Sequence, residues 1–258
     1  MMPMNRFYYH SEQHDRALEK LQYAVAGMKG LAVLIGDLGT GKTTLARRLL
    51  DSLPEDEYEA SLLVIVHSEV DATWLLKRVA SQLGVENVAN ERVDILSQLF
   101  ERLVKIAESG KKAVILIDEA QMFKKPHLME EFRGLLNLEL PEKKLLSFVF
   151  FGLPELEECL KADPPLAQRV AVKHKLQPFL PETTVAYIHH RLTLAGVDEP
   201  IFTAEACEDI HNYSRGIPRL INVICDNSLF EGYIRKFTHI DRDTVETVAK
   251  DLCLPSAI

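Results

Sequence analysis

Through the first two thirds of the chain, short uninterrupted apolar runs alternate with segments whose apolar residues recur every three or four positions. The runs cover residues 31–35, 62–66, 113–117, 145–151 and 170–176. Apolar strands of this length joined by amphipathic helices predict a parallel sheet covered on both faces. The last run alternates instead, with Val170, Val172, His174 and Leu176 on one face, which predicts an edge strand. Helical periodicity covers residues 42–53, 73–83, 93–109, 127–138 and 154–161, and an earlier helix starts near Glu12.

The pattern changes near Pro178. Beyond it, residues 182–195, 203–213, 218–235 and 241–252 are all helical in period, and no strand candidate follows. Gly196, Pro200, Gly216 and Pro218 mark the turns between them. The expected architecture is an αβα parallel-sheet domain over residues 1–178, N-terminal linker included, followed by a small all-helical lid over residues 179–258.

Composition refines this picture only slightly. With 258 residues, 47% apolar and 26% charged, the chain is long enough for one large domain or a large and a small one, and its composition argues against disorder. The net charge of -8 argues against coating nucleic acid by bulk electrostatics, while leaving room for a local basic patch. Cys159, Cys207, Cys225 and Cys253 are widely spaced and form no metal-ligand pattern, so they read as inert buried thiols in a reducing compartment. The opening Met1-Met2-Pro3-Met4-Asn5-Arg6 lacks a signal-peptide core, and no apolar run approaches the roughly 20 residues that span a bilayer. A cytoplasmic protein without direct membrane insertion is expected.

The first chemical signal follows the first apolar run. Gly36, Asp37, Leu38, Gly39, Thr40, Gly41, Lys42 and Thr43 fit G-x-x-x-x-G-K-[ST]. Glycines let backbone N–H groups turn inward around phosphate oxygens. Lys42 is placed to reach the β and γ phosphates of ATP, and the Thr43 hydroxyl to coordinate Mg²⁺. The helix continuing through Thr44 directs the positive end of its dipole at the anion.

The second signal ends the third apolar run. Asp118 and Glu119 stand at a strand tip, where ligands collect in sheets of this kind. Asp118 is expected to hold Mg²⁺ through its water shell, and Glu119 to polarise the attacking water. That adjacent glutamate favours an ATP hydrolase over a nucleotide kinase. His67, at the end of the second run, either gates Glu119 through a hydrogen bond or simply ends its strand.

Taken together, these residues resemble the AAA+ ATPases. In detail the chain is similar to the ATPase domains of the general secretion pathway protein A type, with relatives in pilus and exopolysaccharide systems. The resemblance is carried by residues 36–43, Ile117-Asp-Glu-Ala-Gln121, Leu136-Asn-Leu-Glu139, Phe151-Gly-Leu-Pro-Glu-Leu156, Ala167-Gln-Arg169 and Gly216-Ile-Pro-Arg-Leu-Ile-Asn222. It implies that Arg169 is an arginine finger acting on ATP held by a neighbouring subunit, in a homo-oligomer. The plainer alternative is a surface arginine paired with a carboxylate. The resemblance also implies that Pro218 and Arg219 touch the nucleotide from the lid, with Arg219 as sensor 2. Tyr8 and Tyr9 fall where relatives surround the adenine, though packing accounts for them equally.

Two departures stand out. Leu153 occupies the position where relatives usually carry glutamine at the sensor 1 strand tip, and leucine cannot orient water by hydrogen bonding. Either another group does so or turnover is slow. The second is length: the secretion protein continues into a membrane span and a peptidoglycan-binding region, and if the chain is complete at Ile258 a soluble stand-alone relative is expected. The leading expectation is an ATP-driven assembly factor acting on a protein partner in an envelope, pilus or type II secretion system. The alternative is a DNA-associated AAA+ ATPase, a transposition regulator or initiator-like loader. A third is a module that binds ATP and barely hydrolyses it.

Overall fold

The computed structural model describes residues 8–66, 70–123, 126–141, 143–197 and 199–255. They form two compact units. A sheet unit comprises Gln13–Gly36 and Lys42–Leu176, and a helical unit comprises the N-terminal segment through Glu12, Asp37–Gly41 and the chain from Gln177 onward.

The sheet unit contains helix α1 (Glu12–Ala26), strand β1 (Leu31–Ile35), α2 (Lys42–Asp51), β2 (Tyr58–Val64), α3 (Ala72–Gln82), α4 (Arg92–Glu108), β3 (Lys112–Asp118), α5 (Pro126–Leu135), the two-residue strands β4 (Glu139–Leu140) and β5 (Lys143–Lys144), β6 (Leu146–Gly152), α6 (Glu155–Lys161), α7 (Pro164–Ala167) and β7 (Val170–Lys175). Five strands form a parallel sheet in the order β2-β3-β6-β1-β7. The central strands β1, β3 and β6 are buried almost throughout, as their uninterrupted apolar sequences require. β7 is an edge strand with alternating exposure, as its sequence alternation predicts. Phe123, Phe132, Phe148 and Phe150 interlock in the core, with the Phe132 ring 4.8 to 5.2 Å from its three neighbours.

Three local expectations are corrected. β2 begins at Tyr58 rather than residue 62 and ends at Val64. As the other edge strand it tolerates the polar Glu59 and Ser61, which hide it from a search for apolar runs. The helix expected over 127–138 stops at Leu135, where tighter hydrogen bonds, Asn137 N to Gly134 O and Leu138 N to Leu135 O, turn the chain into the β4–β5 hairpin. The short α7 is absent from the periodicity because its four residues hold no repeat. Asp163 starts it by accepting from Leu166 N at 3.0 Å, with prolines in the first turn.

The helical unit contains α8 (Pro181–Leu194), α9 (Ala204–Ser214), α10 (Pro218–Arg235) and α11 (Arg242–Asp251), packed around Phe179, Tyr187, Ile210, Ile224 and Val245. Thr203 and Asp241 cap α9 and α11, and proline opens α8 and α10. Gly216, between α9 and α10, has φ +70°, and a Cβ there would strike the Phe179 carbonyl. Only glycine lets α10 start where it does. Among the described residues no helix is long and apolar enough to cross a membrane.

Candidate nucleotide-binding site

The glycine loop leaves β1 after Ile35 and enters α2 at Lys42. In the sheet unit, Gly36 N–H continues the β1–β6 ladder to Gly152 O at 3.2 Å. The buried Lys42 ammonium donates to the Gly36 carbonyl at 2.9 Å. In the segment Asp37–Gly41, Thr40 donates through N–H and hydroxyl to Asp37 O, at 3.3 and 2.8 Å. Gly39 and Gly41 have φ +83° and +101°, the geometry that turns consecutive N–H groups toward an anion. Leu38 is exposed at the tip. A Cβ on Gly39 would stand 2.8 Å from Arg219 Cβ, and Arg219 N–H donates to Gly39 O at 3.3 Å. Pro218 and Arg219 thus belong to the α10 turn that meets Gly39, with the Arg219 side chain exposed.

Asp118 ends β3 fully buried, and Glu119 follows in the left-handed conformation (φ 60°, ψ 35°). That conformation costs a non-glycine residue about 1–2 kcal/mol. Thr43 Oγ1 donates to Asp118 Oδ2 at 2.6 Å, while Asp118 Oδ1 accepts Glu119 N–H at 3.0 Å. Both metal candidates of the sequence are therefore in direct contact. A hydroxyl beside a carboxylate, at the start of a helix and the end of a strand, is a donor set suited to Mg²⁺ that also takes phosphate and water ligands. Among the described residues no group of three or more His, Cys, Asp or Glu forms a metal cluster elsewhere.

Gln121 carries a role that the sequence motifs alone do not assign. It is buried in the 3-10 turn Ala120–Met122, donates through Nε2 to Glu119 Oε2 at 2.6 Å, and accepts Leu153 N–H on Oε1 at 3.0 Å. The β6 tip is thereby tied to Glu119 through a side-chain amide, although Leu153 itself offers none. Its only sequence signal is the fourth letter of Asp-Glu-Ala-Gln, two residues from the glutamate it holds.

Other candidates are placed differently. Arg169 Nη1 donates to the Arg133 carbonyl on α5 at 3.0 Å, and among the described residues it makes no hydrogen bond or ion pair with Thr43, Asp118 or Glu119. Tyr9 packs in the helical unit against Phe179, Tyr187 and His190, and Tyr8 against His10. His67 lies outside the described residues. The four cysteines are free, and burial raises the thiol pKa of Cys207 and Cys225. Against the expectation of buried thiols, Cys159 and Cys225 are only partly buried, and Cys253, which follows the last turn of α11, is exposed.

A doubly covered parallel sheet, a glycine loop running from β1 into a helix and an acidic pair at the tip of β3, with β6 between the two strands, define the class: a P-loop ATPase fold of the AAA+ type. A family model described as an AAA domain matches residues 26–160, and the chain belongs to that family. It is similar to General secretion pathway protein A of Aeromonas hydrophila, 37% identical over 245 residues that cover 93% of this chain and 44% of that protein. The chain spans less than half the length of the curated relatives it matches. Among solved structures it is similar to Cdc6p from Pyrobaculum aerophilum (TM-score 0.72, 18% identity, 97% of this chain and 71% of that one). It is also similar to the Aeropyrum pernix ORC1 protein solved in complex with DNA (TM-score 0.64, 18% identity, 93% and 64%). At these identities the structural likeness concerns the fold.

Proposed function

We propose that this chain binds ATP with Mg²⁺ and hydrolyses it within a homo-oligomer, driving assembly or regulation of an envelope secretion or pilus-type system from the cytoplasmic side. The observation that carries the chemistry is the Thr43–Asp118 hydrogen bond with Glu119 next in the chain, steadied by Gln121. Residues 36–44 cradle the phosphates, and the Lys42 ammonium exchanges the Gly36 carbonyl for β and γ phosphate oxygens. Thr43 and Asp118 hold Mg²⁺, which supplies charge neutralisation across those phosphates. Glu119 accepts the proton of the attacking water. Gln121 fixes the carboxylate of Glu119 and anchors it to the β6 tip, the task that Leu153 cannot perform. Arg219 reports the nucleotide state to α10. Arg169, which its own subunit's Thr43–Asp118–Glu119 group leaves untouched, acts on the site of a neighbour.

A Glu119→Gln variant is the direct test. It should bind ATP within about threefold of wild type while phosphate release falls by about 10²-fold or more. Full turnover in that variant would end the assignment, and single-turnover release by the wild type would favour a module that only binds ATP.

The envelope role rests on the likeness to General secretion pathway protein A. A DNA-associated role is the second reading, favoured by the fold shared with a protein solved on DNA. ATPase activity stimulated by duplex DNA, with a steep salt dependence, would decide for the second reading.

A further inference from the structure

The sheet has a second concave surface, at the end opposite the glycine loop. There β3, β6 and β1 start side by side, and the segments that feed them line a cavity of about 430 Å³. Five of its ten lining residues are lysines: Lys29 ahead of β1, Lys111 and Lys112 at the start of β3, and Lys143 and Lys144 ahead of β6. This concentration occurs on a chain whose net charge is -8.

Other cations of the sheet unit pair with carboxylates: Lys173 with Glu157, Arg133 with Asp163, Arg92 with Glu131. Among the described residues none of the five cavity lysines forms such a pair, although Glu57, Glu108 and Glu139 belong to adjoining segments. Instead Lys143 Nζ reaches the Ala107 carbonyl at 3.0 Å and Lys144 Nζ the Lys29 carbonyl at 3.5 Å. Lys29 and Lys112 lie over the rings of Tyr23 and Tyr58, at 5.4 and 5.3 Å from the centroids. Carbonyl dipoles and ring faces are where ammonium groups rest without a counterion.

The choice of side chain narrows the ligand. Arginine suits planar, bidentate partners, and the cavity contains none; lysine presents compact point charges suited to phosphate oxygens. The volume is that of a small-molecule site, on the order of 300–1,000 Å³. Met28, Ala107 and Leu145 supply its apolar lining, with no bulky side chain to insert into a bilayer. We propose that this cavity binds a compact polyphosphate anion, at a site separate from the glycine loop and independent of its chemistry.

Inorganic tripolyphosphate titrated calorimetrically into the whole chain, with saturating Mg–ADP present to fill the glycine loop, tests the proposal. The expected result is one further equivalent of binding, weakened by about tenfold or more in a Lys29→Ala/Lys144→Ala double variant and weakened further by salt. Both lysines are exposed, so an unaltered melting curve will show that the variant folds. No further equivalent in the wild type, or equal affinity in the double variant, overturns the proposal. Separate arms use duplex DNA and phosphatidylserine vesicles; lysine-dependent binding of either, tighter than that of tripolyphosphate, also overturns the small-anion assignment. If the glycine loop does not take ADP, the lysine-dependent equivalent should still appear, so the two readings fail separately.

Discussion

The two ends of the one parallel sheet handle charge in different ways. At the end where strands finish, Thr43, Asp118, Glu119 and Gln121 are bound to one another through hydrogen bonds of 2.6 to 3.0 Å. At the end where strands start, five lysines line a hollow, and four of them rest on carbonyls or ring faces. The first arrangement holds atoms in one geometry, and the second supplies a field. Substitutions should therefore act steeply and specifically at the first end, and shallowly and with salt sensitivity at the second.

The largest effect is expected from Arg169→Ala. Loss of a finger acting between subunits should lower turnover by about 10³-fold, with ATP binding retained, and the wild-type rate per subunit should rise with protein concentration. Unchanged turnover would detach Arg169 from the site altogether. Gln121→Leu comes next. It removes the bridge from Glu119 to the β6 tip, and turnover should drop by about 10- to 100-fold with nucleotide affinity unaltered. Gln121→Glu would place a carboxylate against Glu119 and should be at least as damaging. If Gln121→Leu kept full turnover, the Leu153 departure would again need another explanation.

At the lysine end, Lys29→Ala/Lys144→Ala should leave turnover at saturating ATP within about twofold of wild type, because neither residue reaches the chemistry. The smallest effect concerns His174 on β7. Burial, and then the charges of Lys20, Arg16 and His14, lower its pKa, against an opposing hydrogen bond that the ring donates to the Gln13 backbone. His211 is lowered in the same direction, first by burial and against the pull of Glu182. A histidine kept neutral in the folded chain binds its proton more readily when unfolded. Stability is thus complete above the ordinary histidine value of 6.5 and declines as pH falls from there toward the lowered folded values. Thermal unfolding at about pH 7.5 and about pH 5.5 should differ by on the order of a few degrees, and His174→Gln should shrink that difference. An unchanged difference would remove His174 from the account.

Much of the candidate nucleotide site is legible in the sequence. The glycine loop and the acidic pair are contiguous, and contiguous residues keep their relation wherever the chain folds. The central strands are equally plain, because burial on both faces demands an unbroken apolar run. β2 starts four residues ahead of its apolar run, at Tyr58 rather than residue 62, because an edge strand admits Glu59 and Ser61. The β4–β5 hairpin is hidden because helical period persists through Leu138 although the hydrogen bonds tighten after Leu135.

By itself, then, the sequence determined the class of the protein and the residues of the glycine loop, since both depend on local spacing and on apolar runs. Tertiary structure alone decided three things. It brought Thr43 to Asp118 across 75 positions, placed the Gln121 amide between Glu119 and Leu153, and gathered lysines from three segments into one hollow. Strand order and register set these meetings, and they arise from how the sheet pairs, not from any stretch of chain.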